Sequence, residues 1–210
     1  MRIPLLIYLG AAAEAAPLIA AAAVRRPQPG ARAWVLGWTG ALVFADVLQL
    51  LLALRGERNF WVGYVATVAG ALVLWALSYW QVSETERLTL RVATALFLAA
   101  WIVLTLAFDD MSSLSRAGSP MANTVCLLAS VWTLLARSLR HRGELLAQDW
   151  FWVSAGVAFY FALWSAIDLM RVLLFGRDML LMAQLLQVGF ALNIVAFLAI
   201  ARGVTCRVGT

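Results

Sequence analysis

The chain contains no lysine and a single histidine, and each lack removes a class of chemistry. Without a side-chain amine, no Schiff base to retinal or another aldehyde can form. His141 falls in a basic stretch between apolar runs, so histidine-rich metal centres and serine–histidine dyads within a membrane are excluded. His-Glu-x-x-His and Gly-x-Gly-Asp are absent as well, and neither a metal nor a cofactor is expected. The two cysteines, Cys126 in an apolar run and Cys206 near the carboxyl end, do not make a disulfide framework. Charge is scarce too, at 13% of the 210 residues. The formal charge of +5 comes from arginines scattered in the gaps between apolar runs, which is loop bias and excludes a nucleic-acid partner.

Apolar residues, by contrast, make up 64% of the chain, beyond the range of soluble domains. A bilayer core about 30 Å thick takes roughly 20 residues of helix. Seven runs reach that length: 3–24, 33–54, 60–82, 88–108, 121–139, 150–175 and 179–200. Backbone polar groups cannot go unpaired in hydrocarbon, and the alternation of barrel strands is missing, so the runs are helices. The expected fold is all-α, a polytopic membrane protein with one seven-helix domain over residues 1–210. Met1-Arg2, the apolar stretch after it and Ala20 to Ala23 have the outline of a cleavable signal. Glu14, in the middle of that stretch, argues for a retained span.

Arginine placement sets the expected orientation. Arg25, Arg26, Arg32, Arg87, Arg91, Arg137, Arg140, Arg142, Arg202 and Arg207 collect on one side, against Arg2, Arg55, Arg58, Arg116, Arg171 and Arg177 on the other. The richer side belongs in the cytoplasm, which puts the amino terminus outside and the carboxyl terminus inside. Trp34, Trp80, Trp150 and Trp152 at one level and Trp61 at the other fit interfacial anchors. The loops are short, the longest being 109–120, which leaves no room for a soluble catalytic domain. An ungapped offset that sets Asp46 over Asp168 also sets Leu51-Leu52 over Leu173-Leu174 and Arg55 over Arg177. This would relate helices one to three to helices five to seven as parallel repeats, with the fourth as linker.

Ionisable groups within spans cost several kcal/mol unless they meet a cavity or a partner. Glu14, Asp46, Asp168 and Arg171 are the candidates. At about 1.5 Å of rise per residue, Glu14 lies about 16 Å, Asp46 about 12 Å and Asp168 about 9 Å below the outer end, all at or above the midplane. Asp46 with Gln49, Asp168 with Arg171, and Gln184 with Gln187 are i, i+3 pairs on single helix faces. These groups come from the first, second, sixth and seventh helices, which become neighbours in a sequential ring. The geometry that satisfies all seven residues is one polar pocket opening outward between those helices. A plainer alternative has Arg171 snorkelling beside Asp168 and the glutamines joining helices by hydrogen bonds. Pro17, three residues after Glu14, should bend the first helix, as a gate or as a packing seam. Ala66 and Gly70 form a small-xxx-small pair that suits close helix packing.

The stretch Asn59-Phe60-Trp61 with Tyr64, and Asp149-Trp150-Phe151-Trp152 with Gly156 and Tyr160, resembles a pattern in uncharacterised seven-helix bacterial membrane proteins. The resemblance covers two short segments and implies the seven-helix topology alone; the expected location, a bacterial inner membrane, is a separate reading. No activity comes with it. From the residues alone, the expected function is binding of a small polar or cationic solute, or a proton, by a transporter or receptor. Asp109 and Asp110 would add negative potential at the mouth. The alternatives are a structural or assembly subunit docked on a membrane-protein partner, and an intramembrane hydrolase using carboxylates alone.

Overall fold

The computed structural model describes residues 5–25, 28, 30–109, 115–174 and 179–206. The helices in chain order are α1 (Leu5–Ala13), α2 (Ala16–Val24), α3 (Ala31–Leu54), α4 (Phe60–Val68), α5 (Gly70–Tyr79), α6 (Glu84–Phe108), α7 (Gly118–Arg140), α8 (Asp149–Leu174) and α9 (Met179–Thr205). One 3₁₀ turn, Leu145–Ala147, precedes α8, and the described residues form no strand. Six helices are long and apolar enough to cross a membrane: α3, α4 and α5 taken together, α6, α7, α8 and α9. The pair α1 and α2 is apolar but shorter. Phe44, Leu54, Leu96, Leu106 and Leu139 are all more than 60% exposed, an apolar exterior suited to lipid and not to water.

Two of the expected spans are interrupted, the first near the bend expected of Pro17 and the third where none was expected. The first interrupts at Glu14-Ala15, where Glu14 N–H and Ala15 N–H bond to Ala11 and Ala12 in tight three-residue turns. Pro17 has no N–H for the carbonyl of Ala13 and its ring crowds that carbonyl, which forces the break one turn upstream. The third span interrupts at Ala69, where no proline stands; the Cys126 thiol donates to the Gly70 carbonyl at 3.6 Å, providing an outside partner for that turn. A Cβ on Gly70 would lie 3.0 Å from Cys126 Sγ, so the small residue allows α5 its approach to α7.

Several boundaries fall a turn away from the apolar runs because capping extends the helices past them. Ser83 Oγ accepts from Glu86 N–H, and Glu86 accepts from Ser83 N–H, so α6 begins at Glu84 and not at Leu88. After α3, Gly56 sits at φ +71° while its N–H and that of Glu57 bond to Ala53 and Leu52, a glycine-terminated cap that turns the chain sharply.

The helices close into a ring. α3 packs on α4 and α5, these on α7, α7 on α8, α8 on α9, and α9 on α1 and α2, which return to α3. α6 stands outside, against α5 and α7. A sequential ring would have placed α6 within it, so this part of the expectation is corrected. Glycine lets α8 and α9 approach closely, since a Cβ on Gly156 of α8 would come within 2.7 Å of the Ala196 carbonyl on α9. In the ring's interior, Trp38 of α3 stacks on Phe161 of α8 at 5.7 Å and on Phe197 of α9 at 5.8 Å, and meets Tyr160 edge-on at 5.2 Å.

At the end that carries residues 80–83 and 141–148, a buried clamp holds three elements. Arg32 Nε lies 3.0 Å from Asp149 Oδ2, and the same guanidinium donates to the carbonyls of Val204 at 3.2 Å and Cys206 at 2.9 Å. It thus satisfies unpaired carbonyls at the end of α9 while neutralising the first residue of α8. Trp80 and Trp150, expected as interfacial anchors, are buried instead, the latter beneath Arg137, whose guanidinium lies 5.6 Å from its ring. Both cysteine thiols are free and buried. Arg32→Met should cost about 3–5 kcal/mol, because it strands Asp149 as an uncompensated buried charge. Thermal unfolding in detergent measures this, and Arg32→Met with Asp149→Leu should recover part of the loss.

Candidate functional site

A cavity of about 300 Å³ occupies the half of the ring opposite the Arg32 clamp. Its walls come from the α1–α2 break, α3, α4 with the start of α5, α7, α8 and α9. It extends from Trp38, Gly70 and Tyr160 in mid-bundle to Phe60, Ser115 and Arg171 at the helix ends. Of the seven residues the sequence singled out, Glu14, Asp46, Gln49, Asp168 and Arg171 line it. Gln184 and Gln187 do not, and Gln184 is exposed on the outside of α9. Their i, i+3 spacing defines a shared face but not the direction in which that face points.

Asp168 and Arg171 form the intrahelical pair expected of them, at 3.2 Å. Asp168 also accepts from Asn123 Nδ2 at 2.8 Å and Ser119 Oγ at 3.3 Å, so α7 and α8 are joined through this carboxylate. Glu14 differs. The helix break turns it inward, where it is 5% exposed; Asn193 of α9 donates to its Oε1 at 3.2 Å, and its Oε2 has no hydrogen-bond partner. Asp46 lines the same cavity, close enough that its charge bears on Glu14, and no ion pair among the described residues reaches either. One cation therefore stands among three carboxyl groups in the cavity, and Asp168 already holds it.

Sequence reasoning missed much of this wall. Aromatic rings are prominent in its lining: Trp38, Tyr64, Tyr160, Phe161, Trp164 and Phe190. Trp164 meets Phe190 edge-on at 6.0 Å, and its Nε1 is buried without a hydrogen-bond partner. Depth was the overlooked signal, because Trp38 and Trp164 lie too far inside their helices for interfacial anchors. The asparagines gave a similar signal, as Asn123 and Asn193 are neutral amides within apolar runs, and each donates to a cavity carboxylate. Lining from α4, α5 and α7 also widens the site beyond the four helices expected.

No protein-family model, no curated protein and no solved structure matches this chain. What the cavity can hold is therefore taken from the side chains that line it. Among the described residues no three of histidine, cysteine, aspartate and glutamate gather as metal ligands. The lining thus combines carboxyl groups with aromatic rings.

Asp109, expected to lend charge to the mouth, is engaged otherwise, and Asp110 lies outside the described residues. Asp109 Oδ1 accepts from Arg116 and Ala117 N–H at 2.6 and 3.0 Å, and Oδ2 from Ser115 Oγ and Gly118 N–H at 2.7 and 3.0 Å. It is thus the anionic cap of α7 and orders the rim that carries Ser115. Partial burial opposes its charge, but the hydrogen bonds from Ser115, Arg116, Gly118 and Ala117 outweigh burial and hold Asp109 below its ordinary range. A depressed carboxylate contributes stability that is complete above its unfolded value of about 3.9 and is lost as the pH falls through the lower folded value. Asp109→Ala should cost about 1–2 kcal/mol at neutral pH, as loss of a helix cap does. Hydrogen exchange at the amides of residues 116–118 should accelerate in the variant at pH 7, and in the parent only on strong acidification.

Proposed function

We propose that this protein is an integral membrane protein of seven spans that binds a small cationic solute, as a transporter or receptor. α1 and α2 together form the first span, bent at Glu14. The ligand site is the cavity between the first, second, third, fifth, sixth and seventh spans. One observation carries this reading: Glu14 and Asp46 line a shared cavity deep in an apolar bundle, and among the described residues neither has an ion-pair partner. Dehydrated carboxylates are costly, and a positively charged solute or a proton removes that cost on arrival. Trp38, Tyr160 and Phe161 supply flat, electron-rich faces to the same guest.

Orientation follows the arginines. Among the described residues, Arg25, Arg32, Arg87, Arg91, Arg137, Arg140, Arg142 and Arg202 cluster at the clamp end, and Arg55, Arg58, Arg116 and Arg171 at the cavity end. The clamp end belongs in the cytoplasm of a bacterial inner membrane, so the cavity opens outward. The broken first span suits the moving part, since Glu14 lies where α1 and α2 can swing separately and where Gly10 lets α1 close tightly on Phe190.

Two experiments test this reading. Protein in nanodiscs is titrated with benzylamine while tryptophan fluorescence reports on the cavity. Glu14→Gln and Asp46→Asn should each weaken binding by about 10- to 100-fold, as loss of a charged hydrogen-bond partner worth about 1.5–3 kcal/mol implies. Unchanged affinity in both amides removes them from the site. For orientation, Arg55→Cys and Arg142→Cys are made in a background with Cys126 and Cys206 replaced by serine. An impermeant maleimide should label the first and not the second in intact cells.

A further inference from the structure

The cavity specifies more about its guest than the sign of its charge. We infer that the ligand is a small amine bearing N–H donors and an aromatic or compact apolar group, and not a quaternary ammonium or an inorganic cation. This rests on the reading of the cavity as a cation site. The hydrogen-bonding demand comes first. Glu14 Oε2 is buried, unpartnered and at the cavity wall, and Asp46 lies beside it without an ion-pair partner among the described residues. Ionised carboxylates accept hydrogen bonds and donate none. A primary or secondary ammonium can direct N–H groups at both, whereas a quaternary one offers only methyl surface and leaves Glu14 Oε2 without a donor.

The walls then set the body of the ligand. An inorganic cation would need oxygen ligands on several sides, yet much of the surface around the two carboxyl groups is ring. Trp38, Tyr160, Phe161, Trp164 and Phe190 are linked by successive ring contacts, so apolar faces and not oxygen ligands stand on these sides. Such rings receive a flat or compact hydrocarbon by stacking and edge contacts. Trp164 Nε1, unpartnered among these rings, points the same way, because an indole N–H is accommodated by the π face of an aromatic guest. Size is the last constraint. A cavity of about 300 Å³ stands at the lower limit of ligand pockets, enough for a single ring and an amine. Arg171, paired with Asp168 at the rim, engages the third carboxylate and leaves Glu14 and Asp46 to the guest.

The test compares four probes on the purified full chain in nanodiscs, read by tryptophan fluorescence: benzylamine, methylamine, benzyl alcohol and benzyltrimethylammonium. Benzylamine should bind saturably, and each of the others at least about 10-fold more weakly, the loss expected for one missing class of contact. Equal binding of benzyltrimethylammonium overturns the N–H requirement while leaving a cation site in place. Equal binding of methylamine overturns the role of the aromatic walls, and equal binding of benzyl alcohol overturns recognition of charge. If neither amine nor the quaternary probe binds saturably, the cation-site reading falls and this inference with it. Glu14→Gln, nearly identical in shape, separates binding from folding: it should keep the parent's melting temperature without ligand and lose the shift that benzylamine produces. A variant that keeps that shift overturns the assignment of Glu14 Oε2 as acceptor.

Discussion

The cost of dehydrating charge governs this molecule. In a chain this apolar, a buried ionised group needs a partner or a wet cavity, and the two ends of the bundle use different remedies. At the clamp end Arg32 and Asp149 neutralise each other, and the leftover donors of the guanidinium take the last carbonyls of α9. At the cavity end, among the described residues, only Asp168 has such a cation, while Glu14 and Asp46 line the cavity without one. One end of the bundle is therefore closed by its charges and the other is left unfinished by them. That asymmetry is the basis for placing function at the cavity.

Helix breaks serve the same asymmetry. A continuous first span would carry Glu14 on a regular helix face, whereas the break at Glu14-Ala15 exposes the carboxyl to the interior and brings Asn193 within reach. The break at Ala69 lies in the cavity wall as well, next to the Gly70 contact with Cys126. Interrupted helices in a bilayer need outside partners for their freed backbone groups, and protein-lined cavities are where such partners exist. The aromatic group around Trp38 packs α3 on α8 and α9 beside the same cavity.

Much of the fold was legible from residue order. Runs of apolar residues located every long helix because hydrocarbon thickness sets a minimum length that no loop needs to match. Glu14, Asp46, Asp168 and Arg171 were legible for a related reason, since charge within such runs is costly wherever the helix turns. Gln184 and Gln187 were not, because a neutral amide is cheap enough to point toward lipid or toward a neighbour. The aromatic walls escaped for the opposite reason: tryptophan is at home both at an interface and in a core, and only neighbours decide between them. Asp109 was read as free charge because nothing local reveals that the backbone of residues 116–118 returns to it.

Composition and spacing by themselves thus determined an all-helical, lipid-facing chain and named the carboxyl groups that needed an explanation. Both are properties of a segment and its solvent, independent of which helices become neighbours. Only tertiary packing decided that α6 stands outside the ring, that Glu14 and Asp46 share a cavity with Asp168, and that Arg32 closes the opposite end. Helices in lipid have little hydrophobic preference for one neighbour over another, so glycine contacts, ring stacking and a few buried hydrogen bonds make that choice. These are properties of pairs of surfaces, and they exist only once the surfaces have met.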